Sequence, residues 1–351
     1  MALLLLAPYN DSIQLGQGFN SFLQIPCITG AVQFSESDLK AEASRAGGAA
    51  NVSQTVSSNS RFVEKMSEVA RSMNVSAASS IKSGTIGFSG NSMSVDEGKF
   101  SASDMNAVVS VNVVNQTITT PQQATFVPLK DVQMNSAKFF EIYGDCYVSG
   151  FVEGGDLHGI VSVRVLDASK KSEVQSAIES QINGGGTATS FTLSDASVGS
   201  GLEEALKHTE TSVSVSWSGG GQIKPDSEEW TLDSLMRAAA AFPSRVAECP
   251  QRTWVILTRY TDNREFVEWA SDNNIKLPDF VPVQNYSSEL LDCYMEFKHN
   301  LNRLQSVMAN PSQYRLSKCE NPIPLDIWAL VKERELIRGK MRKIAGRIDL
   351  L

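Results

Sequence analysis

The sequence predicts an α+β protein built on long antiparallel strands, with helices inserted between them and gathered at the C-terminal end. Three observations carry this reading. Valine alternates with polar residues in "NAVVSVNVVNQTIT" (106–119), "IVSVRV" (160–165) and "TSVSVSW" (211–217), the period of a half-buried strand. Apolar residues spaced three and four apart, the period of an amphipathic helix, occur elsewhere. One arrangement also occurs twice: a long alternating strand borders a stretch of helix plus Ser/Gly-rich linker that connects to another strand.

The first residues, "MALLLLAPYNDS", hold a short apolar run with no basic lead that soon meets Asn10 and Asp11. This reads as a buried first strand rather than a secretory signal, so the expectation is a cytoplasmic store or unconventional export. "LGQGFNSF" and "GAVQFSES" read as short strands and turns. In "RFVEKMSEVARSM" (61–73) the period changes: Phe62, Met66, Val69, Ala70 and Met73 share one helical face. The following "NVSAASSIKSGTIGFSGNSMSV" is too poor in apolar residues for an independent core. After "IVSVRV", Val174, Ile178 and Ile182 stand four apart, followed by the Gly/Ser-rich "NGGGTATSFTLSDASVGSG". "TSVSVSW" runs straight into Gly219, Gly220 and Gly221. "TLDSLMRAAAAF" reads as a helix and "TWVILTRY" as a buried strand.

The C-terminal part is helical. Leu290, Tyr294, Phe297, Leu301 and Leu304 form one stripe; Leu330, Ile337, Met341, Ile344 and Ile348 form another, separated by the breaking "NPIPLDIW". The last helix has basic flanks that include Lys340, Arg342 and Lys343. Three readings stand for it: packing on the body, contact with anionic lipid through those residues, or contact between subunits.

The 351 residues carry a net charge of −8, 42% hydrophobic residues and five cysteines. An acidic chain does not present a general nucleic-acid surface, so no nucleic-acid partner is expected. Cys27, Cys146, Cys249, Cys293 and Cys319 are far apart and form no CxxC pair, which argues for reduced thiols and gives no metal pattern. Cys146 precedes Asp156 and His158 closely enough for a Cys–His pair to be considered, but its strand context favours a buried structural thiol. The glycine triplets lack the Lys–Ser/Thr of a phosphate loop, and no HExxH or GxSxG is present. The expectation is a non-enzyme without cofactor or metal.

The most informative stretch is "YGDCYVSGFVEGG", where Tyr143, Gly144 and Tyr147 precede Gly154 and Gly155. Taken alone, glycines so placed also fit a β-bulge and a loop in an unrelated sheet. The spacing Tyr-Gly-x-x-Tyr-x6-Gly-Gly resembles the signature of the membrane attack complex/perforin domain, whose core fold is shared with the cholesterol-dependent cytolysins. The order around it fits as well: Gly16–Asn20 early, Ser-rich helical segments before and after, the strand ending in Gly219–Gly221, then Trp230 and a helix. The segment "TWVILTRYTDNREF" (253–266) is similar to the strand and turn that close such domains in fungal and bacterial members. The resemblance covers roughly residues 12–285. Asp145–Cys146 depart from the Thr/Ser–His usual there.

What the resemblance implies is a bent, twisted four-stranded antiparallel sheet flanked by two helical clusters, with residues 1–285 forming a pore-forming-type domain and 286–351 a helical extension packed on it. The implied activity is oligomerisation on a lipid membrane as a ring or arc. The segments at about 54–103 and 168–210 then become transmembrane β-hairpins of a shared barrel. Closure is a physical necessity, because every backbone polar group in lipid must be satisfied. Ile86 and Phe88, and Phe191 and Leu193, are the candidate inserting side chains, although Ile86/Phe88 run out of phase with Met93/Val95. Tyr143, Gly144, Tyr147, Gly154, Gly155 and Gly219–Gly221 are the candidate packing and hinge positions. The rival readings are a non-lytic binding, immune or adhesion protein with this fold, and a pore subunit that needs a separate membrane-recognition protein.

Overall fold

Valine-rich alternation puts the longest strands at the centre of the sheet. The structure, a computed structural model, describes residues 5–35, 54–87, 95–119, 124–130, 132–182 and 204–351. Short strands β1 (Leu5–Pro8), β2 (Gly18–Asn20), β3 (Ile25–Pro26) and β4 (Val32–Gln33) open the chain, followed by β5 (Thr55–Phe62). Helices α1 (Met66–Ser72), α2 (Ala77–Ser83) and α3 (Glu97–Ala102) lead to β6 (Met105–Thr119), β7 (Thr125–Phe126), α4 (Ser136–Tyr143) and the 20-residue β8 (Cys146–Val165). Next come α5 (Lys171–Ile182), β9 (Thr209–Ser218), α6 (Leu232–Glu248), β10 (Gln251–Arg259) and α7 (Arg264–Asp272). Two long helices end the chain, α8 (Gln284–Ala309) and α9 (Ile327–Ile348).

Strand β8 organises the sheet because it is long enough to hold different partners at its two ends. Its first half pairs antiparallel with β10, from Arg259↔Cys146 to Gln251↔Gly154. Its second half pairs with β9, from Asp156↔Ser218 to Val165↔Thr209. On its other side β6 follows it from Met105↔Val163 to Thr119↔Gly150, and β5 lies outside β6. The expected four-stranded sheet is therefore corrected: among the described residues the main sheet has eight strands. Four lie abreast beyond the middle of β8, in the order β5–β6–β8–β9. Below the middle, β1 and β10 take the place of β9, and β2 and β3 join at the start of β8. A single 20-residue strand outruns each partner, so the sheet changes partners instead of ending.

Alternation sends the valines to two cores. Val109, Val111, Val113, Val161 and Val163 face α5 and α6, where Val174, Ile178, Leu235 and Phe242 are buried. Val108 and Ile160 point to the opposite face and meet Met66, Val69 and Ile81 of α1 and α2. The two helical clusters thus sit on opposite faces of the same half of the sheet. Each fully buried aliphatic or aromatic side chain contributes about 1.5–3 kcal/mol, so both clusters are held mainly by apolar contact.

Two helical expectations shift. The helix predicted from Arg61 starts at Met66, because Arg61 and Phe62 belong to β5 and pair with Val108 and Ala107. The Glu68 carboxylate reaches back to accept from the Glu64 and Lys65 N–H groups (2.9 and 3.2 Å) and so marks the true helix start. In α8 the buried residues are Ser287, Leu291, Met295 and Leu304. In the first half, where the helix faces the body, the expected stripe is widened: Leu290 and Tyr294 pack half-buried beside Leu291 and Met295; in the second, Phe297, Leu301 and Leu304 face α9 as expected.

Candidate functional site: a glycine corner and two strand excursions

Where β8 exchanges β10 for β9, both flanking ladders slip. The register of β6 shifts between Val114 and Gln116, and that of β10 between Arg252 and Trp254. Bulges on both sides of one point bend a strand and increase its twist. Gly154 and Gly155 occupy that point. A Cβ on Gly154 would lie 1.9 Å from the Val113 carbonyl oxygen, and one on Gly155 would lie 2.3 Å from Val246 Cγ2 and 2.9 Å from Phe242 Cζ. Helix α6 therefore rests directly on the backbone of β8. Gly219, Gly220 and Gly221, with φ of +78°, +73° and +61°, turn the end of β9 back over the same point. A Cβ on Gly219 would stand 2.4 Å from the Gly154 oxygen. The turn is pinned by Gly220 N–H donating to Cys249 O (2.7 Å) and Trp217 Nε1–H donating to Gly221 O (3.0 Å).

Tyr143, Gly144 and Tyr147 are not part of this corner. They lie at the start of β8, about 23 Å away at ~3.3 Å per strand residue. Tyr143 is buried, stacks on Phe139 and donates from its hydroxyl to Val127 O (2.9 Å). Gly144 sits where a side chain would strike the Phe19 carbonyl. Tyr147 packs against Tyr260. Burial raises the pKa of all three tyrosines, Tyr143, Tyr147 and Tyr260, which therefore act as neutral packing groups. Asp145, one of the departures from the motif, accepts from Ser21 N–H (2.7 Å) and Ser21 Oγ (2.5 Å) and fastens the turn after β2 to β8. Cys146 is buried with its pKa pushed upward, first by burial and then by Asp145. It lies at the far end of β8 from His158, which bonds Asp156 at 2.9 Å; no Cys–His pair forms.

The second feature is how the chain leaves the sheet. It departs after Phe62, which pairs with Ala107, and returns at the start of β6. It departs again after Val165, which pairs with Thr209, and returns at the start of β9. Since β5, β6, β8 and β9 are successive antiparallel neighbours, both excursions, 63–104 and 166–208, leave from one end of the sheet. The neck of each is closed by backbone bonds, Val63 N–H to Asn106 O (2.9 Å) and Leu166 N–H to His208 O (2.9 Å). At the second neck Asp104 accepts from Val165 N–H (3.0 Å) and from Lys171 Nζ (3.3 Å). That backbone donor first, and Lys171 second, hold its carboxyl below the ordinary value.

The two excursions are held differently. The first is clasped by the C-terminal helices. Asp292 of α8 accepts from both Ser67 N–H and Ser67 Oγ (2.8 Å each). Lys298 reaches Gly84 O (2.7 Å) and the Glu97 carboxylate, and Lys82 pairs with Asp349. Beneath the end of α1 a cavity of about 360 Å³ is lined by Asn59, Ser72, Asn74, Ser110, Asp156 and His158. No sequence spacing signals these ties, since Ser67 and Asp292 are 225 residues apart.

Of the candidate inserting side chains, Ile86 is buried in the first cluster. Phe88, Phe191 and Leu193 lie outside the described residues. Lys340, Arg342 and Lys343 are exposed on the later half of α9, with Lys340 over the Phe297 ring at 5.1 Å. Among the described residues no His/Cys/Asp/Glu group could hold a metal, and no helix is long and apolar enough to cross a membrane.

No family model and no curated protein matches the chain. Solved structures do. Stonustoxin shares 9% identity at a TM-score of 0.49, covering 98% of this chain and 41% of its own. GNIP1Aa from Chromobacterium piscinae shares 12% identity at 0.34, covering 67% of this chain and 47% of its own. A non-hemolytic pneumolysin from Streptococcus pneumoniae strain ST306 shares 13% identity at 0.36, covering 64% of this chain and 44% of its own. The chain resembles these proteins. It spans less than half the length of each, and likeness at this level transfers no activity.

Proposed function

We propose that this chain is a pore-forming protein of the perforin-like and cholesterol-dependent cytolysin type. In this reading it oligomerises on a lipid membrane and converts its two excursions into β-hairpins of a shared barrel, without enzymatic chemistry. One observation carries the reading: both excursions leave the same end of four adjacent antiparallel strands, at positions already paired across each neck. Straightening either one lengthens a ladder that exists. Each holds roughly 40 residues, ample for two spanning strands of about 9–11 residues and a turn. One chain then supplies four strands, too few for a wide barrel, so closure requires many copies.

Part of the first segment is already strand, since β5 lies within 54–103. In this reading the first converting region begins after Phe62 and is shorter than 54–103, while the second, 166–208, is as long as 168–210. The glycine corner fits the role of the bend about which the halves of the sheet would reorient. The clasp on the first excursion favours a second reading, in which only the second one inserts.

The test is dye release from vesicles with negative-stain imaging of the same samples. Replacing Ser67 and Asp292 with cysteine, with native Cys293 made serine, locks the first excursion. A cysteine pair between α5 and β6 locks the second. The expected result is rings with release by the unlocked protein, bound but silent locked protein, and recovery on reduction. Absence of binding and release on anionic, sterol and sphingolipid vesicles would overturn the reading; release that ignores both locks would overturn the mechanism.

A further inference from the structure

The side of the sheet that faces α1 carries a polar band between two apolar clusters. Residues directly opposite in antiparallel strands share a face, so two rows cross β5, β6 and β8: Asn59–Ser110–His158 and Ser57–Asn112–Asp156. To one side of the band, Val108 and Ile160 meet the first helical cluster. To the other, Val114, Val152, Trp254 and Ile256 pack together. Polar groups buried among apolar ones cost free energy unless each is partnered. Asp156 and His158 are nearly fully buried here, at 5% and 4% exposure. They bond each other at 2.9 Å, and Asn112 Nδ2 donates to the other Asp156 oxygen at 3.4 Å.

This band is the floor of the cavity of about 360 Å³ beneath the end of α1. The volume falls in the range of small-molecule sites, about 300–1,000 Å³. Ser57 and Asn59 are exposed and mark the mouth at the β5 edge, while Asp156 and His158 mark the inner end. Val152 and Trp254 supply an apolar side wall, and Ser72 and Asn74 form the roof at the end of α1. Asn74 holds a φ of +50°, and its carbonyl accepts from Gln24 Nε2 (2.8 Å). The roof is thus tied to the N-terminal strands as well as to its own helix.

We propose that this cavity binds a neutral polyhydroxyl ligand of the size of a single sugar ring. Among the described residues no Lys or Arg lines it, so it lacks the charged donors that recognise phosphate or carboxylate. Its carboxylate, Asp156, is already engaged by His158 and Asn112, and among the described residues no group could hold a metal. What the walls offer is amides and hydroxyls, which both donate and accept, facing an apolar wall that includes an indole. A sugar ring is divided in the same way, with hydroxyls around its rim and C–H groups on its faces. The roof belongs to the first excursion and the floor to the sheet, so a ligand between them holds the two together and is itself held better while they are closed.

Binding here does not rest on the membrane reading, and the experiment uses no vesicles. Full-length protein is titrated, by calorimetry and ligand-detected NMR, with glucose, galactose, mannose, N-acetylglucosamine, myo-inositol and glycerol. The methyl glycoside of the tightest binder separates a chain-terminal sugar, which it mimics, from a free one. The expected result is saturable binding of a ring-sized probe, with glycerol about tenfold weaker or more because it fills less of the site. Ser110→Val and Asp156→Asn each remove a partner from the floor and should weaken binding about tenfold or more. Ser212→Val, on the same face but outside the cavity, should leave it within about twofold. Valine suits a strand, so Ser110→Val should keep its melting temperature and carries the test alone if Asp156→Asn fails to fold. With probe at about ten times its dissociation constant, α1 peptides should exchange about elevenfold more slowly. Three results overturn the proposal: no binding by any probe, binding that survives Ser110→Val, or protection of α1 by inorganic phosphate or calcium ion where the sugars give none.

Discussion

Replacing Asp292 with alanine should loosen the first excursion without disturbing the sheet. Ser67 is the second residue of α1, so its N–H has no partner within its own helix; Asp292 supplies one from α8 and accepts from the Ser67 hydroxyl as well. Ser67 is buried and Asp292 half-buried. Leaving buried donors unpaired costs about 1–3 kcal/mol each, and partial exposure of the carboxylate puts the sum at about 2 kcal/mol. At tenfold per 1.4 kcal/mol this is an increase of roughly 30-fold in the population with α1 detached. Hydrogen exchange followed by mass spectrometry reads it directly. Peptides from α1 and α2 should exchange about 30-fold faster, while those from β8 and β10 should be unchanged. Ser67→Ala should give roughly half the effect in free energy, and the double variant less than the sum, because both changes remove one shared contact. A change below threefold in α1, or equal acceleration throughout the sheet, would refute the idea that this contact holds a separately opening unit.

Gly154→Ala should cost about 3 kcal/mol, because the new methyl meets the backbone oxygen of Val113; Gly155→Ala should cost less, since Val246 and Phe242 can shift, and chemical denaturation would rank the two. Asp104 is held below its ordinary 3.8, so its tie to Val165 and Lys171 is intact above that pH and is lost as pH falls through the lowered folded value. Exchange across 166–182 should therefore rise only in strong acid, and Asp104→Asn should remove that pH dependence. Thiol labelling at pH 8 should modify Cys249, Cys293 and Cys319 quickly. Cys27, half-buried and pushed up to about 11 by burial and Asp145, should follow more slowly, and Cys146 only on unfolding.

The strands that bury valines were legible because alternation encodes both the strand and its inward faces, and β6, β8 and β9 all carry it. The glycines at 154–155 and 219–221 were legible as places where a side chain would not fit, although not as one corner, since that juxtaposition depends on β8 changing partners. Strand β5 was not legible. Its "TVSSNSRF" is polar and mostly exposed, and it is a strand because β6 offers it a ladder. Tertiary pairing overrode a weak local preference there. The clasp by Asp292 and Lys298 was equally hidden, because a hydrogen bond across the whole chain leaves no periodicity. The α8 stripe was legible only in part: Leu290 and Tyr294 pack on the body, but the better-buried Leu291 and Met295 beside them were missed, because one helix serves two partners and no single face describes it.

The closed necks have a kinetic consequence. Growing a β-hairpin from a free chain is limited by the search that brings two distant segments into register, and by the entropy of closing the loop between them. In both excursions that search is over before any conversion begins, because Phe62↔Ala107 and Val165↔Thr209 already stand opposite each other. Conversion would be propagation from a seated nucleus, each step adding a neighbouring pair. Its rate should then depend on how readily the helices let go, and little on the residues that finally form the far turn.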